Sequence, residues 1–339
     1  MTNKIALLIV LQCIVVKSFA QQSQEAYKKH MMDSIKAAYI DKLAFKNPEM
    51  RQFTFVTDYF GAGDINSELK DIPFFDARLK TVRYFANFKM PLLNFGRNSI
   101  SSSFSANHQS ISLEDVKNLQ TDIEVTEMDL EKTVLSSSLQ FSRIDSLFKK
   151  PIIYIANVSS IVDPETGQNQ ILFGGISLLT LRKTQKSSFA VGLVLTVDPT
   201  SPFPIIPFFN YDAMLNPHTE LSLGITGVSL RRELSEKSVL TFSNSLGGAM
   251  SMFRIDTDLT YIPAKVIYST LEIRSGLEFE YLFTKKMVFT VKGGTNYYAS
   301  SKVTEQGKTI GAFLKNKIGL VPYAQVGISF LPFWKGLAN

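Results

Sequence analysis

Long stretches of this chain alternate apolar with polar residues, and the clearest is 268–283. In an extended strand the polar positions of this stretch would share one face, which carries Thr270, Glu272, Arg274, Glu278 and Glu280. A strand of a globular domain usually has about five or six residues, whereas a strand that crosses a bilayer needs about nine to eleven plus some overhang. The length and the alternation therefore predict strands of a membrane β-barrel.

Runs of this kind recur from residue 51 onward and are separated by clusters of Gly, Pro, Asn, Asp, Ser and Lys. They lie near 51–60, 79–90, 97–107, 132–144, 151–162, 170–182, 187–198, 203–212, 219–232, 238–252, 267–283, 286–298 and 320–331. This count is odd, and single-chain bacterial barrels have even numbers of strands. Either the run 51–60 lies outside the wall, or the ambiguous segment 112–131 hides one more strand. We predict an all-β, antiparallel transmembrane barrel of about twelve strands, within a range of ten to fourteen, over residues 50–333.

The connections between these runs predict the orientation of the barrel. Short turns are expected at 198–202, 235–237 and 284–286, after every second strand, and longer segments at 254–265 and 298–319 take the alternate positions. Outer-membrane barrels combine short periplasmic turns with longer external loops, and both chain ends are expected in the periplasm. Closure is expected too, because an open sheet would leave unpaired backbone groups in lipid.

The N-terminus has the order of a secretory signal peptide. Lys4 precedes an apolar core over 5–16, and Ser-Phe-Ala precedes Gln21, so cleavage is expected after Ala20 and the protein is predicted to reach the cell outer membrane. The single cysteine, Cys13, lies inside this segment, so the mature chain is expected to have no disulfide.

Residues 21–49 form a separate leader in this prediction. Tyr27, Met31, Ile35 and Tyr39 recur at a spacing of four, which predicts a short amphipathic helix that ends near Pro48. The helix would plug the lumen, contact a partner, or form a loosely held periplasmic leader. Residues 334–339 are predicted to be a C-terminal tail.

The charged positions of 268–283 form the candidate site. The set consists of Glu272, Arg274, Glu278, Glu280 and, on the next strand, Lys292. Carboxylates and a guanidinium could fix a cation or a polar headgroup as a selectivity patch. Alternatively, the same charges pair with one another and with Lys292 as a salt-bridge network inside the lumen. Both interpretations place these side chains on a polar lumen face.

Composition narrows the function classes. The strands over 170–198 are apolar on both faces, so the lumen is expected to be mixed, either a conduit for a moderately hydrophobic solute or a filled core. The formal charge of +6 is modest; it could attract lipopolysaccharide phosphates or reflect a solvated surface, and without a basic patch interleaved with aromatics it does not indicate nucleic acid. The three histidines are scattered, so no metal or other cofactor is predicted.

We therefore predict a non-enzymatic barrel that passes or binds a small amphiphilic solute, or that has a structural role in the envelope. One alternative is a barrel-embedded lipid-modifying enzyme that uses His218 with Glu220 and Ser222. The other is a secreted, soluble β-sandwich or adhesin, in which the apolar faces would pack on each other.

Three segments resemble a known family: 142–154 (SRIDSLFKKPIIY), 201–211 (SPFPIIPFFNY) and 271–283 (LEIRSGLEFEYLF). Their order and spacing are similar to the uncharacterised outer-membrane β-barrel family of Bacteroidota, a domain of unknown function. The resemblance implies a barrel in the outer membrane, and it implies neither a substrate nor functional residues. Expected partners are outer-membrane lipids, lipopolysaccharide and an unknown small solute. The barrel-insertion machinery is also expected to bind the chain, because the alternating strand 323–330 ends in the aromatic Phe330, as an insertion signal does.

Overall fold

The computed structural model describes residues 31–32, 34–120, 124–197, 204–255, 262–308 and 311–333. It divides into two compact units, residues 1–51 and 52–339. In the first unit, residues 31–32 and 34–46 are helical and a 3-10 turn follows at Pro48–Met50. Met31, Ile35 and Tyr39 lie on this helix as predicted, whereas Tyr27, the predicted signal peptide and the predicted tail at 334–339 fall outside the described residues. No helix among the described residues is both long and apolar enough to cross a bilayer.

The second unit is one antiparallel sheet. Its strands are β1 (Phe53–Leu69), β2 (Ile72–Phe95), β3 (Asn98–Asn118), β4 (Met128–Leu147), β5 (Lys150–Val162), β6 (Asn169–Lys183), β7 (Ser187–Val197), β8 (Ile205–Asn216), β9 (Thr219–Gly224), β10 (Gly227–Ser235), β11 (Ser238–Gly247), β12 (Met250–Arg254), β13 (Lys265–Leu282), β14 (Met287–Glu305), β15 (Leu314–Ile318) and β16 (Val321–Phe330).

The sheet closes into a barrel of fourteen wall strands. Each strand from β1 to β10 pairs with the next one along the chain, so these pairings run from β1 to β11. β11 then pairs with β13, and the ring closes through β14, β16 and β1. β12 continues the position of β11 along β13, and β15 continues the position of β16 between β1 and β14. A closed ring pairs every wall strand on both sides, so the alternative of a soluble β-sandwich is wrong.

Fourteen strands lie within the predicted range of ten to fourteen but exceed the favoured number of twelve, and both explanations offered for the odd count are wrong. The run 51–60 is part of the wall, since it forms the start of β1, and the described residues of 112–131 contribute only the ends of β3 and β4. The missing strand lies inside the predicted run 219–232, which is a hairpin of β9 and β10. Its two-residue turn is Ile225-Thr226, and Gly227 after it has φ +129, which glycine tolerates best.

The two rims of the barrel differ in the length of their connections. The terminal rim, which carries Phe53 and Phe330, has turns of two to four residues, including the predicted turns near 235–237 and 284–286. The distal rim has two-residue turns at 70–71 and 225–226 together with longer connections at 119–127, 255–264 and 306–313. The predicted turn 198–202 lies outside the described residues, but the flanking ends Val197 and Ile205 belong to the distal rim and not to the terminal rim as predicted.

Side chains of the wall face either the lumen or the outside, and one ion pair identifies the lumen side. Arg83 on β2 contacts Glu272 on β13, although three wall strands separate β2 from β13, so both side chains point into the lumen. Next to the terminal rim the opposite, outward face is strongly apolar. Its exposed members include Phe55, Phe104, Leu139, Phe173, Leu193, Leu277 and Phe289. An apolar band around a closed barrel is the surface that meets lipid.

Both faces change character toward the distal rim of β1 to β4. On β2, the outward face passes from Tyr84 to Lys80 and Arg78, while the inward face passes from Arg83 to Leu79. On β4, the outward face passes from Leu135 to Glu131. We call the distal part of β1 to β4 and of β12 to β15 the collar. Its inward face is apolar, and on β1 to β4 its outward face is polar. A polar outward face is not suited to contact with lipid.

A β-bulge produces this change on β1. Phe60 lies opposite Thr81 and Gly63 lies opposite Leu79, so β1 has one extra residue at 61–62. Odd-numbered residues such as Phe55 and Tyr59 face outward before the bulge and odd-numbered residues such as Ile65 face inward after it. A single alternating sequence thereby supplies lipid-facing residues first and lumen-facing residues afterwards.

Candidate functional site

A buried ionic cluster crosses the lumen at the base of the collar. Arg83 donates to Glu272 through both terminal guanidinium nitrogens, at 2.9 and 2.7 Å, and through Nε to Gln109 Oε1 at 2.9 Å. Arg274 donates to Glu272 Oε2 at 2.9 Å and to Asp58 Oδ2 at 2.9 Å. Two carboxylates therefore balance two guanidiniums, as burial of charge requires.

Phe60 contacts both guanidiniums of this ionic cluster. The centroid of its ring lies 4.6 Å from Cζ of Arg83 and 5.0 Å from Cζ of Arg274, which is within the range of cation–π contacts. Phe60 is 1 % exposed and also stacks on Tyr323, with ring centroids 6.2 Å apart. The ring thus joins the ionic cluster to the apolar interior of the collar.

The predicted site residues all lie on lumen-facing positions of β13 and β14, but they do not form one site around Lys292. Glu272 and Arg274 belong to the ionic cluster, and Thr270 donates a hydrogen bond to Glu272 Oε1 at 2.7 Å. Lys292 lies 3.9 Å from Glu278 on the neighbouring strand, and Glu280 is buried. Whether these residues select a solute stays a prediction. Because Glu272 already accepts bonds from two arginines and a threonine, its geometry favours internal pairing.

Sequence reasoning missed Arg83, Asp58 and Gln109, which complete the ionic cluster from β2, β1 and β3. Arg83 lies in the predicted run 79–90, but nothing in that run indicates which strand faces it across the lumen. A usable signal was present in the polarity of single strands. Arg83 lies between Val82 and Tyr84, and Asp58 precedes Tyr59, so both charges alternate with outward residues of a lipid-facing strand and require a counter-charge inside.

An apolar cavity of about 460 Å³ lies inside the collar, between β1 to β4 on one side and β12 to β15 on the other. Its walls include Ile65, Phe75, Leu79, Ile111, Leu130 and Phe313. Most of these side chains belong to, or pack against, the main apolar core of the barrel. The polar side chains among the described lining residues are Tyr268, Asn316 and Arg254. A cavity of this size with few polar groups resembles small-molecule sites.

A chain of hydrogen bonds runs along the wall of this cavity and ends at Tyr268. The Ser67 hydroxyl donates to Asn316 Oδ1 at 2.7 Å, and Asn316 Nδ2 donates to Ser301 Oγ at 3.2 Å. The Ser301 hydroxyl then donates to the Tyr268 hydroxyl oxygen at 3.3 Å. Every bond points in the same direction, from β1 through β15 and β14 to β13.

The residues of the enzyme alternative do not gather at the distal rim. His218 lies in the two-residue turn between β8 and β9, at the terminal rim, where its backbone N–H donates to Asn216 Oδ1 at 3.0 Å. Glu220 and Ser222 follow on β9. His218 therefore lies at the opposite end of the barrel from the collar.

Comparison with solved structures finds barrels of low similarity. An outer-membrane channel from Pseudomonas putida F1 has 10 % identity and a TM-score of 0.37, with 83 % of this chain and 96 % of that chain covered. The P. putida toluene transporter TodX has 9 % identity and a TM-score of 0.37, with 83 % and 89 % covered. The translocator domain of the autotransporter NalP from Neisseria meningitidis has 11 % identity and a TM-score of 0.30, with 88 % and 98 % covered. Likeness at this level identifies no shared site.

The sequence itself gives a firmer assignment. No curated protein sequence matches the chain. One family profile matches residues 50–330, which are nearly all of the barrel from the 3-10 turn to the end of β16. The chain therefore belongs to the family of the domain of unknown function DUF6268.

Proposed function

We propose that this protein is a non-enzymatic outer-membrane β-barrel that binds a small, largely apolar solute in the cavity of the collar. The observation that carries the proposal is the reversal of polarity along β1 to β4. A wall within lipid needs an apolar outer face, and β1 to β4 do not have one in the collar. Its apolar residues instead surround a cavity of about 460 Å³. These two features support an apolar space just beyond the membrane.

The orientation of the barrel determines on which side of the membrane this cavity lies. Outer-membrane barrels keep short turns and both chain ends in the periplasm, so the collar would face the cell exterior. Lipopolysaccharide surrounds a barrel at that level and would meet the polar outer face of the collar. We infer export by the signal peptide at 1–20, insertion by the barrel-insertion machinery, and an origin in Bacteroidota, as the family resemblance implies.

The ionic cluster separates the cavity from the part of the lumen nearer the terminal rim. Arg83, Asp58 and Glu272 are each no more than 6 % exposed. A solute in the collar therefore meets an ionic cluster whose charges are already paired with one another. An apolar solute binds more favourably in the apolar cavity than against the ionic cluster, because buried ion pairs make no favourable contact with an apolar surface. Binding in the collar accordingly needs no rearrangement of the ionic cluster, whereas passage through the lumen would require the ionic cluster to rearrange.

Quenching of an engineered tryptophan tests the proposal. The chain has one tryptophan, Trp334, so Trp334→Phe with Phe313→Trp leaves a single fluorophore in the cavity wall. We expect saturable quenching when a bromoalkane is added to the detergent-folded protein. The matched control is Ser112→Trp, which places the fluorophore on the outward face of the collar next to the cavity residue Ile111.

Two results would overturn the proposal. Quenching that rises linearly and equally at both positions would show partition into detergent without a site, which would favour a structural role in the envelope. Turnover of phospholipid or lipid A that is lost in His218→Ala would establish the enzyme alternative instead.

A further inference from the structure

The hydrogen-bond chain in the cavity wall leaves the hydroxyl proton of Tyr268 available to a bound solute. Asn316 can use its oxygen only as an acceptor and its nitrogen only as a donor, so Ser67 must donate and Ser301 must accept. The Ser301 hydroxyl in turn donates to the Tyr268 hydroxyl oxygen. Tyr268 accepts this bond through its oxygen, and its own proton is left for another acceptor.

The position of Tyr268 decides where that proton can go. Tyr268 lines the cavity and packs against the apolar core, and Val266, Leu314 and Phe313 also line the cavity. These apolar side chains offer no acceptor, and no described residue accepts a hydrogen bond from the Tyr268 hydroxyl. A buried hydroxyl that donates to nothing loses the free energy of a hydrogen bond, so a ligand with an acceptor at this point is favoured over one without.

We propose that the solute is an uncharged, mainly apolar molecule with one hydrogen-bond acceptor, such as a ketone, ester or ether oxygen, which accepts from the Tyr268 hydroxyl. This inference rests on the proposed binding function and specifies its substrate class. The direction of the chain makes the site a donor, because Asn316 fixes its own two bonds and the Ser301 hydroxyl donates to the Tyr268 oxygen. A hydroxyl held in one direction discriminates better than a freely rotating one, since less rotational freedom is lost on binding.

An ionised ligand fits the cavity less well. Among the described lining residues, the one charged side chain is Arg254, which is solvent-exposed at the end of β12. A carboxylate would have to remain at that exposed end, whereas Tyr268 lies deeper on β13 beside the buried Ile267. The two positions therefore predict different ligands: an anionic amphiphile for Arg254 and a neutral acceptor for Tyr268.

Three bromine-labelled probes of the same chain length separate these possibilities: an alkane, its methyl ketone and its carboxylate. Affinities are measured by quenching in the Phe313→Trp, Trp334→Phe protein. We expect the ketone to bind about fivefold more tightly than the alkane, which corresponds to one net hydrogen bond. In Tyr268→Phe this ratio should fall to about one, while the affinity for the alkane stays the same.

A matched control and the contrary outcomes make the test decisive. Tyr297→Phe removes a hydroxyl from the outward face of β14 and should leave the ratio at its parent value. A ketone preference that survives Tyr268→Phe would overturn the inference, and so would a carboxylate that binds most tightly in both proteins. If the alkane binds and the ketone binds no more tightly than the alkane, the inference fails while the proposed function stands. If no probe gives saturable quenching, the proposed function itself fails.

Discussion

Arg83 and Glu272 form an ion pair of 2.7 Å across the lumen, on strands that have three other wall strands between them. The side chain of Arg83 is 5 % exposed and that of Glu272 is 0 % exposed, so water screens this pair very little. Arg274 and Asp58 extend it to a neutral group of four charges. The barrel is thus tied together through its interior as well as around its wall.

Removal of one partner of this pair should strongly destabilise the barrel. Glu272→Ala leaves two guanidiniums buried with a single remaining carboxylate, and breaking a buried pair costs about 3–5 kcal/mol. We expect a loss of that size in the free energy of unfolding, measured by urea titration of the protein in lipid vesicles.

An exposed ion pair provides the control for this prediction. Glu114 on β3 pairs with Lys80 at 2.6 Å, and both side chains are about 40 % exposed. Glu114→Ala should change the free energy of unfolding by about 1 kcal/mol or less. Equal losses in the two variants would show that burial of the Arg83–Glu272 pair has no special effect.

The boundary of the lipid band can be tested on β4, where the outward face carries both kinds of residue. Leu139, which is 48 % exposed, lies in the lipid band, whereas Glu131 lies in the collar. Leu139→Arg should destabilise the barrel in vesicles by about 2–4 kcal/mol, while Glu131→Arg should cost about 0–1 kcal/mol. If both arginines cost the same, the collar does not stand outside the membrane.

Truncation of Phe60 should open the space at the ionic cluster. The ring contacts the guanidiniums of both Arg83 and Arg274, so Phe60→Ala removes the large side chain that packs on them. We expect larger single-channel currents than those of the unmodified protein in planar bilayers. Phe279→Ala, which removes an outward ring of similar size, serves as the control and should leave the current unchanged. Identical currents in all three proteins would place the constriction elsewhere.

Local alternation was sufficient to predict the class of fold. The segment 268–283 became β13 almost in full, and the charged positions Glu272, Arg274, Glu278 and Glu280 point inward because successive residues of a strand face opposite sides. Strand number was less accessible, because the turn Ile225-Thr226 contains none of the Asn, Asp or Pro that usually mark a turn, although a glycine stands on either side.

The ionic cluster and the cavity could not be predicted in the same way. Arg83 meets Glu272 only because closure brings β2 opposite β13, and no local pattern encodes that distance across a ring. The inward turn of Ile65 depends on the bulge at 61–62, since one extra residue exchanges the two faces of β1. Without the bulge, the odd-numbered apolar residues of β1 would be assigned to lipid throughout.

The most direct test of the account is to locate a bound solute. Crystals of the barrel grown with the bromine-labelled ketone would be measured at the bromine absorption edge. The account predicts an anomalous peak inside the collar, among Ile111, Leu130 and Phe313, with the ketone oxygen within hydrogen-bond distance of the Tyr268 hydroxyl. Peaks found only along the outer apolar band, or only in the lumen on the terminal side of Arg83, would contradict it.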